Sequence, residues 1–256
     1  MKEFFKKGWR PLMVLLLLFI IWEITVKFAD IPKWLLPPPS NIMMEGYSGW
    51  EPFMPHLVST IQLALLGFII GSVIGLATAI LLHLLPTVRE SIYPLLILTQ
   101  NVPIIVLAPL LVIWFGFGLL PKIIVITLVC FFPITVAALD GFRQTAPELK
   151  HYMNMAGATK SQLFWKLEWP YSLPSIFSGL KISATYSVMG AVISEWLGAK
   201  LGIGVYMTLA SSSFRTDRVF VAIFAIMILS LLFFFLIVSI ERYLVRYRVK
   251  GVDTKK

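Results

Sequence analysis

A 256-residue chain with 58% hydrophobic and 14% charged side chains and a mean hydropathy of +0.86 is too apolar for an ordinary soluble domain; it reads as an integral membrane protein. The net charge of +9 would point to nucleic acid in a soluble protein, but here Lys and Arg sit between apolar spans, where they set topology. The single cysteine, Cys130, excludes an internal disulfide and lies mid-span as inert packing.

Residues 1–10 carry Lys2, Lys6, Lys7 and Arg10 ahead of the apolar run 12–22, which imitates a signal peptide. No small-x-small cleavage site follows, so residues 11–29 read as a retained first transmembrane helix. Glu23 lies in its far half. It is either an intramembrane acid with a function or an interfacial acid beside Trp22. Residues 30–55 are rich in turn formers, with Pro32, Pro37-Pro38-Pro39, Ser40-Asn41, Pro52 and Pro55, and read as an extracytoplasmic loop with an extended proline segment and room for a short interfacial helix.

The core follows at 56–242, with span two at about 57–82. There Gly67, Gly71 and Gly75 recur every four residues, a small-residue ridge that lets another helix approach closely. Span three, about 91–114, contains Gln100-Asn101 with Pro103 and Pro109; two amides at that depth need partners or line a wet path. Phe115-Gly116-Phe117-Gly118 turns the chain outside, and span four covers about 123–139. Span five, about 175–197, holds Lys181 at its inner end and Glu195 near its outer end, where Glu195 either lines the path or is an interfacial acid near Lys200. A polar loop covers 198–218, span six runs 219–240, and a basic tail closes the chain at 243–256. With both termini inside, sixteen of the 22 Lys and Arg are cytoplasmic, which supports an N-in, C-in arrangement of six helices.

Between spans four and five lies a polar segment, 145–174, with two helix patterns. Thr145 with Glu148 reads as a capping box and Pro147 suits a first turn, with Leu149, Met153 and Ala156 on one face. Gly157 is a natural left-handed C-cap. Thr159 with Gln162 opens a second capping box, Leu163, Phe164 and Leu167 form its face, and Trp169-Pro170 ends it. Two capped helices showing apolar residues to the cytoplasm suggest a knob that another protein's groove receives.

This segment resembles the cytoplasmic loop of ABC-importer permeases, Glu-Ala-Ala, three residues, Gly, nine residues, Ile-x-Leu-Pro. Aligned on Gly157, it gives His151-Tyr152-Met153 for the triplet and Leu167-Glu168-Trp169-Pro170 for the last four; the leading glutamate and both alanines are absent. Leu36-Pro37-Pro38-Pro39-Ser40 and the run 114–134, WFGFGLLPKIIVITLVCFFPI, are similar to the nitrate, sulfonate, taurine and thiamine-precursor branch. The resemblance implies the type I importer fold, all-α with six spans, and an ATPase cleft gripping His151, Met153, Gly157, Ala158, Leu163, Phe164, Leu167 and Pro170, with Phe164 or Leu163 as anchor. It further implies two ATPase subunits holding ATP and Mg, a second permease copy, an extracytoplasmic binding protein and a thiamine pyrimidine precursor as solute, with alkanesulfonate, taurine, nitrate or riboflavin as alternatives.

No Walker motif, H-E-x-x-H or paired-cysteine site is present, His56, His83 and His151 are scattered, and no nucleophile–base pair is legible. The chain supplies a path and a lever, lined by Gln100, Asn101 and Glu195. A self-sufficient secondary transporter or channel would show paired broken helices within one chain, and only the 100–109 region comes near. A membrane-embedded hydrolase would need an acid–base constellation that Glu23 and Glu195 do not supply.

Overall fold

The computed structural model describes residues 2–245, with side chains from residue 9 onward. Lys2, Lys6 and Lys7 lie outside the described side chains, and the tail residues Arg246, Arg248, Lys250, Lys255 and Lys256 lie outside the described residues.

The fold is all-helical. Helix α1, Lys2–Phe28, runs out along the apolar stretch and leads through the prolines to α2, Pro39–Ser48, whose first turn Pro39 starts. Glu23 anchors that junction: its carboxylate accepts from the Ser40 backbone N–H at 2.9 Å and the Ser40 hydroxyl at 2.7 Å, and pairs with Lys27. It is therefore an acid at the outer helix end, not a group inside the apolar layer.

Helix α3, Trp50–Leu84, is longer than expected. Pro52 falls in the first turn of this helix, where a missing N–H costs little, and Pro55 sits just inside it, so the helix begins seven residues before the apolar run. The third span is broken into α4, Pro86–Thr99, and α5, Ile104–Phe115, which meet at 99° across residues 100–103. The inner half packs Tyr93 and Leu96 near Ala79 and Leu82 of α3. The outer half packs Ala108 and Leu111 on Val125 of the next helix, α6, Leu119–Arg143.

Helix α6 is the axis of the bundle, with Val125, Ile126, Cys130, Ile134 and Ala138 wholly buried. The glycine ridge of α3 lies against it: a methyl at Gly67 would stand 2.4 Å from Ile126 Cγ2, at Gly71 2.7 Å from Cys130 Cβ, and at Gly75 2.9 Å from the Phe131 carbonyl. On its other side comes α9, Trp169–Glu195, where Gly179 meets Ala137 and the backbone of Pro133, and the Ser183 hydroxyl donates to the Cys130 carbonyl at 2.9 Å. Small residues of α3 and α9, set against two faces of α6, let three backbones close together where lipid offers no hydrophobic drive.

Residues 198–218, expected as a polar loop, contain a further helix, α10, Ile203–Ser212. The last span, α11, Thr216–Leu244, is pinned at its start by Arg218 and Arg215 on Glu45 of α2, at 2.7 and 2.9 Å, and near its end by Lys181–Glu241 at 3.0 Å. Helix α1 touches the bundle through Phe19 on Phe224 and Trp22 on Phe220. Among the described residues, five helices are long and apolar enough to cross a membrane, and the bent pair makes a sixth.

Candidate functional site

The knob is built on α7, Pro147–Met155, with Pro147 in the first turn. Its N-cap is Ala146 and has no side-chain cap. The Thr145–Glu148 capping box does not form, because Thr145 is buried with its hydroxyl unpaired among the described residues. The C-terminus closes as a Schellman motif: Gly157 N–H donates to the Asn154 carbonyl and Ala158 N–H to the Met153 carbonyl, each at 3.0 Å. Gly157 has φ +78°, the left-handed conformation that glycine adopts without strain. Of the expected face, Leu149 and Ala156 are exposed and Met153 is half-buried; the large apolar residues exposed on the helix are Leu149, Tyr152 and Met155. Tyr152 is 71% and Met155 73% exposed.

The second capping box forms as expected. Gln162 N–H donates to Thr159 Oγ1 at 3.3 Å and Thr159 N–H to Gln162 Oε1 at 2.9 Å, opening α8, Lys160–Leu163. Trp169-Pro170 does not end this helix. A π-turn over Phe164–Glu168 widens the coil, Pro170 takes an early position of α9, and the chain continues without interruption to Glu195. The wide turn gives the proline ring the room that an α-helical carbonyl four residues back would deny it.

Phe164 is 3% exposed and packs on Phe142, Trp169 and His83, so it cannot anchor in a partner's cleft. Leu163 and Leu167 are half-buried; His151, Gly157 and Pro170 are exposed, Ala158 partly so. The exposed aromatic of this strip is Trp165, edge-on to Phe164 at 5.0 Å. Tyr152, Met155 and Trp165 are the docking candidates missed from sequence; the i, i+3 spacing of Tyr152 and Met155 was the available signal. Beneath the knob, Glu168 accepts from Lys150 at 2.6 Å and lies 2.7 Å from His83 Nε2.

Gln100 and Asn101, expected to line the path, are exposed at the break of the third span, and the Asn101 amide donates to the Ile97 carbonyl at 3.0 Å. Glu195 is elsewhere. It is 1% exposed and clamped inside the protomer: its carboxylate accepts from Thr60 Oγ1 at 2.7 Å and from Gly204 N–H at 2.8 Å, while Ile203 N–H donates to Thr60 Oγ1 at 2.8 Å. His56 Nδ1 lies 2.9 Å from the Gly202 carbonyl. Glu195 thus joins α3, α9 and α10 and does not line an open surface. Trp196, Met207, Thr208, Ser211, Ser212 and Val219 line a cleft of about 380 Å³.

Residues 67–246 match the family model described as the binding-protein-dependent transport system inner membrane component. The chain is 36% identical to the formylaminopyrimidine transport permease protein ThiX of Halalkalibacterium halodurans over 94% of this chain and 96% of that one. It is 29% identical to the riboflavin transport system permease protein RibX of Chloroflexus aurantiacus, covering 91% and 88%. It is also 29% identical to the taurine transport system permease protein TauC of Escherichia coli, covering 85% and 82%. The crystal structure of an amino acid ABC transporter with histidines shares the fold, at a TM-score of 0.64 and 17% identity over 78% of this chain and 97% of that one. Six apolar spans around a glycine-packed axis, a helix–glycine–helix knob and these matches agree: the chain belongs to the family of inner-membrane permease subunits of binding-protein-dependent ABC importers.

Proposed function

We propose that this permease imports a thiamine pyrimidine precursor delivered by an extracytoplasmic binding protein, and that it does so as one of two identical copies around a shared path. The observation carrying the solute assignment is the 36% identity to a formylaminopyrimidine permease across nearly the full length of both chains. Gln100 and Asn101 at the broken span supply polar groups to the path, and Ile105, just beyond on α5, borders an apolar cleft shared with Trp196 and Met207. Such a combination suits a small planar heterocycle, which needs a few hydrogen bonds and flat apolar walls.

In this reading ATP and Mg are held by two partner ATPase subunits. Each receives one knob through Tyr152, Met155 and Trp165, with Gly157 fixing the angle between its helices. ATP-driven closure pushes the knobs and flips the path from outward to inward access as a rigid-body switch. Burying one such side chain contributes about 1.5–3 kcal/mol, so losing it weakens docking about tenfold or more.

Proteoliposomes carrying the permease, its ATPase and its binding protein test the proposal. Labelled formylaminopyrimidine should enter only with ATP inside, and taurine, alkanesulfonate, nitrate and riboflavin should not compete. Uptake of one of those solutes in its place would move the assignment to the sulfonate, taurine, nitrate or riboflavin relatives. Uptake without ATP would mark a secondary transporter and sink the ATP-driven reading.

A further inference from the structure

Helix α7 buries none of its residues, so no hydrophobic core sets its position against the membrane helices. An ionic contact does. Lys150 on α7 reaches Glu168 Oε1 at 2.6 Å, and Oε2 of the same carboxylate lies 2.7 Å from His83 Nε2 in the last turn of α3. Glu168 is buried, and the His83 ring lies against Phe142 and Phe164, which Trp169 also contacts. Rings that exclude water leave the charges weakly screened, and removing one partner strands the others. Glu168 also sits on the π-turn that leads from the knob into α9, a local geometry that recurs at functional sites.

The other end of α3 is clamped as well. Thr60 holds Glu195 and the Ile203 N–H, and His56 meets Gly202, so the outer third of the helix grips the α9–α10 turn. A 35-residue helix is about 50 Å long, enough to run from one membrane face to the other. A rod held at both ends carries displacement at one end to the other.

We propose that Lys150, Glu168 and His83 form the joint through which the knob's movement reaches α3, with Glu168 the positioning residue that couples ATP hydrolysis to rearrangement of the outer α9–α10 turn. The proposal rests on the knob being the ATPase dock.

The test uses the whole transporter in proteoliposomes, with uptake and ATP hydrolysis read on the same vesicles. Glu168→Gln keeps the side chain's size and removes its charge. It should co-purify with the ATPase at parental stoichiometry, yet take up about tenfold less solute per ATP. His83→Gln, which retains a donor toward Glu168, should stay coupled, and His83→Leu should not. If Glu168→Gln yields too little protein, Lys150→Gln breaks the more exposed half of the joint and carries the same expectation. Parental uptake per ATP in these charge-removing variants, with any loss confined to yield or melting temperature, overturns the proposal and leaves a static clamp. Failure of the docking reading would show separately, as a Tyr152→Ala/Met155→Ala permease that still retains the ATPase.

Discussion

Gly67 and Gly190 face the same residue, Ile126, from two different helices, and the identical substitution at each should have opposite effects. A methyl on Gly67 would stand 2.4 Å from Ile126 Cγ2 and 2.5 Å from its Cβ; a methyl on Gly190 would stand 3.6 Å from its Cα and Cγ1. Carbon atoms settle at about 3.5–4.0 Å, so Gly67→Ala forces α3 and α6 apart by roughly 1 Å while Gly190→Ala makes an ordinary contact. Ile126 is fully buried and β-branched, so its side chain has no free rotamer to escape into. Overpacking of this kind costs about 1–3 kcal/mol, against a helix gain for alanine over glycine of about 1 kcal/mol. Gly67→Ala should therefore lose up to about 2 kcal/mol, whereas Gly190→Ala keeps the gain. At roughly 2–4 °C per kcal/mol, their apparent melting temperatures in detergent should differ by several degrees, read by fluorescence size-exclusion after heating. Adding Ile126→Gly to Gly67→Ala takes away both the Cβ and the Cγ2 that obstruct the new methyl, so the double variant should lose less than the sum of the singles. If Gly67→Ala melts level with Gly190→Ala, the ridge does not make the close approach and the reasoning fails.

Four further outcomes are expected. Thr60→Val strips a partner from both Ile203 N–H and the Glu195 carboxylate, costing about 1–3 kcal/mol; an unchanged melting temperature would show that the clamp carries no stability. Gly157→Val has open space for its side chain, so its cost is backbone strain of about 1–2 kcal/mol at the turn. The variant should reach the membrane normally and fail to retain the ATPase, and parental co-purification with uptake would refute the knob as coupling element. Phe164→Ala should cost about 3–5 kcal/mol of fold stability through loss of a buried ring. A variant that melts like the parent yet drops the ATPase would restore Phe164 as an anchor. Single cysteines at Tyr47 and Lys200 should react with impermeant maleimide in intact cells and one at Met155 should not, with buried Cys130 silent; labelling at Met155 would invert the topology.

Composition and local pattern were enough for the membrane class and the knob's turn. Those features follow from side-chain hydropathy and from the backbone freedom of one residue, Gly157. The glycine spacing of α3 likewise exposed a packing ridge, but not which helix it meets, because spacing along one helix says nothing of its neighbour. The errors share a cause. Phe164 and Tyr152 are both apolar-faced aromatics on short helices, and only the placement of Phe142, His83 and Trp169 decides that the first is buried and the second exposed. Glu195 reads as a polar group beside a span, and its burial depends on Thr60, 135 residues away in the chain, and on the Gly202–Gly204 turn folding over it. Pro170 stops an isolated α-helix, whereas a π-turn held by the surrounding aromatics lets it pass. Burial, pairing and helix continuity are set by contacts distant in sequence, so they were decided only when the helices packed.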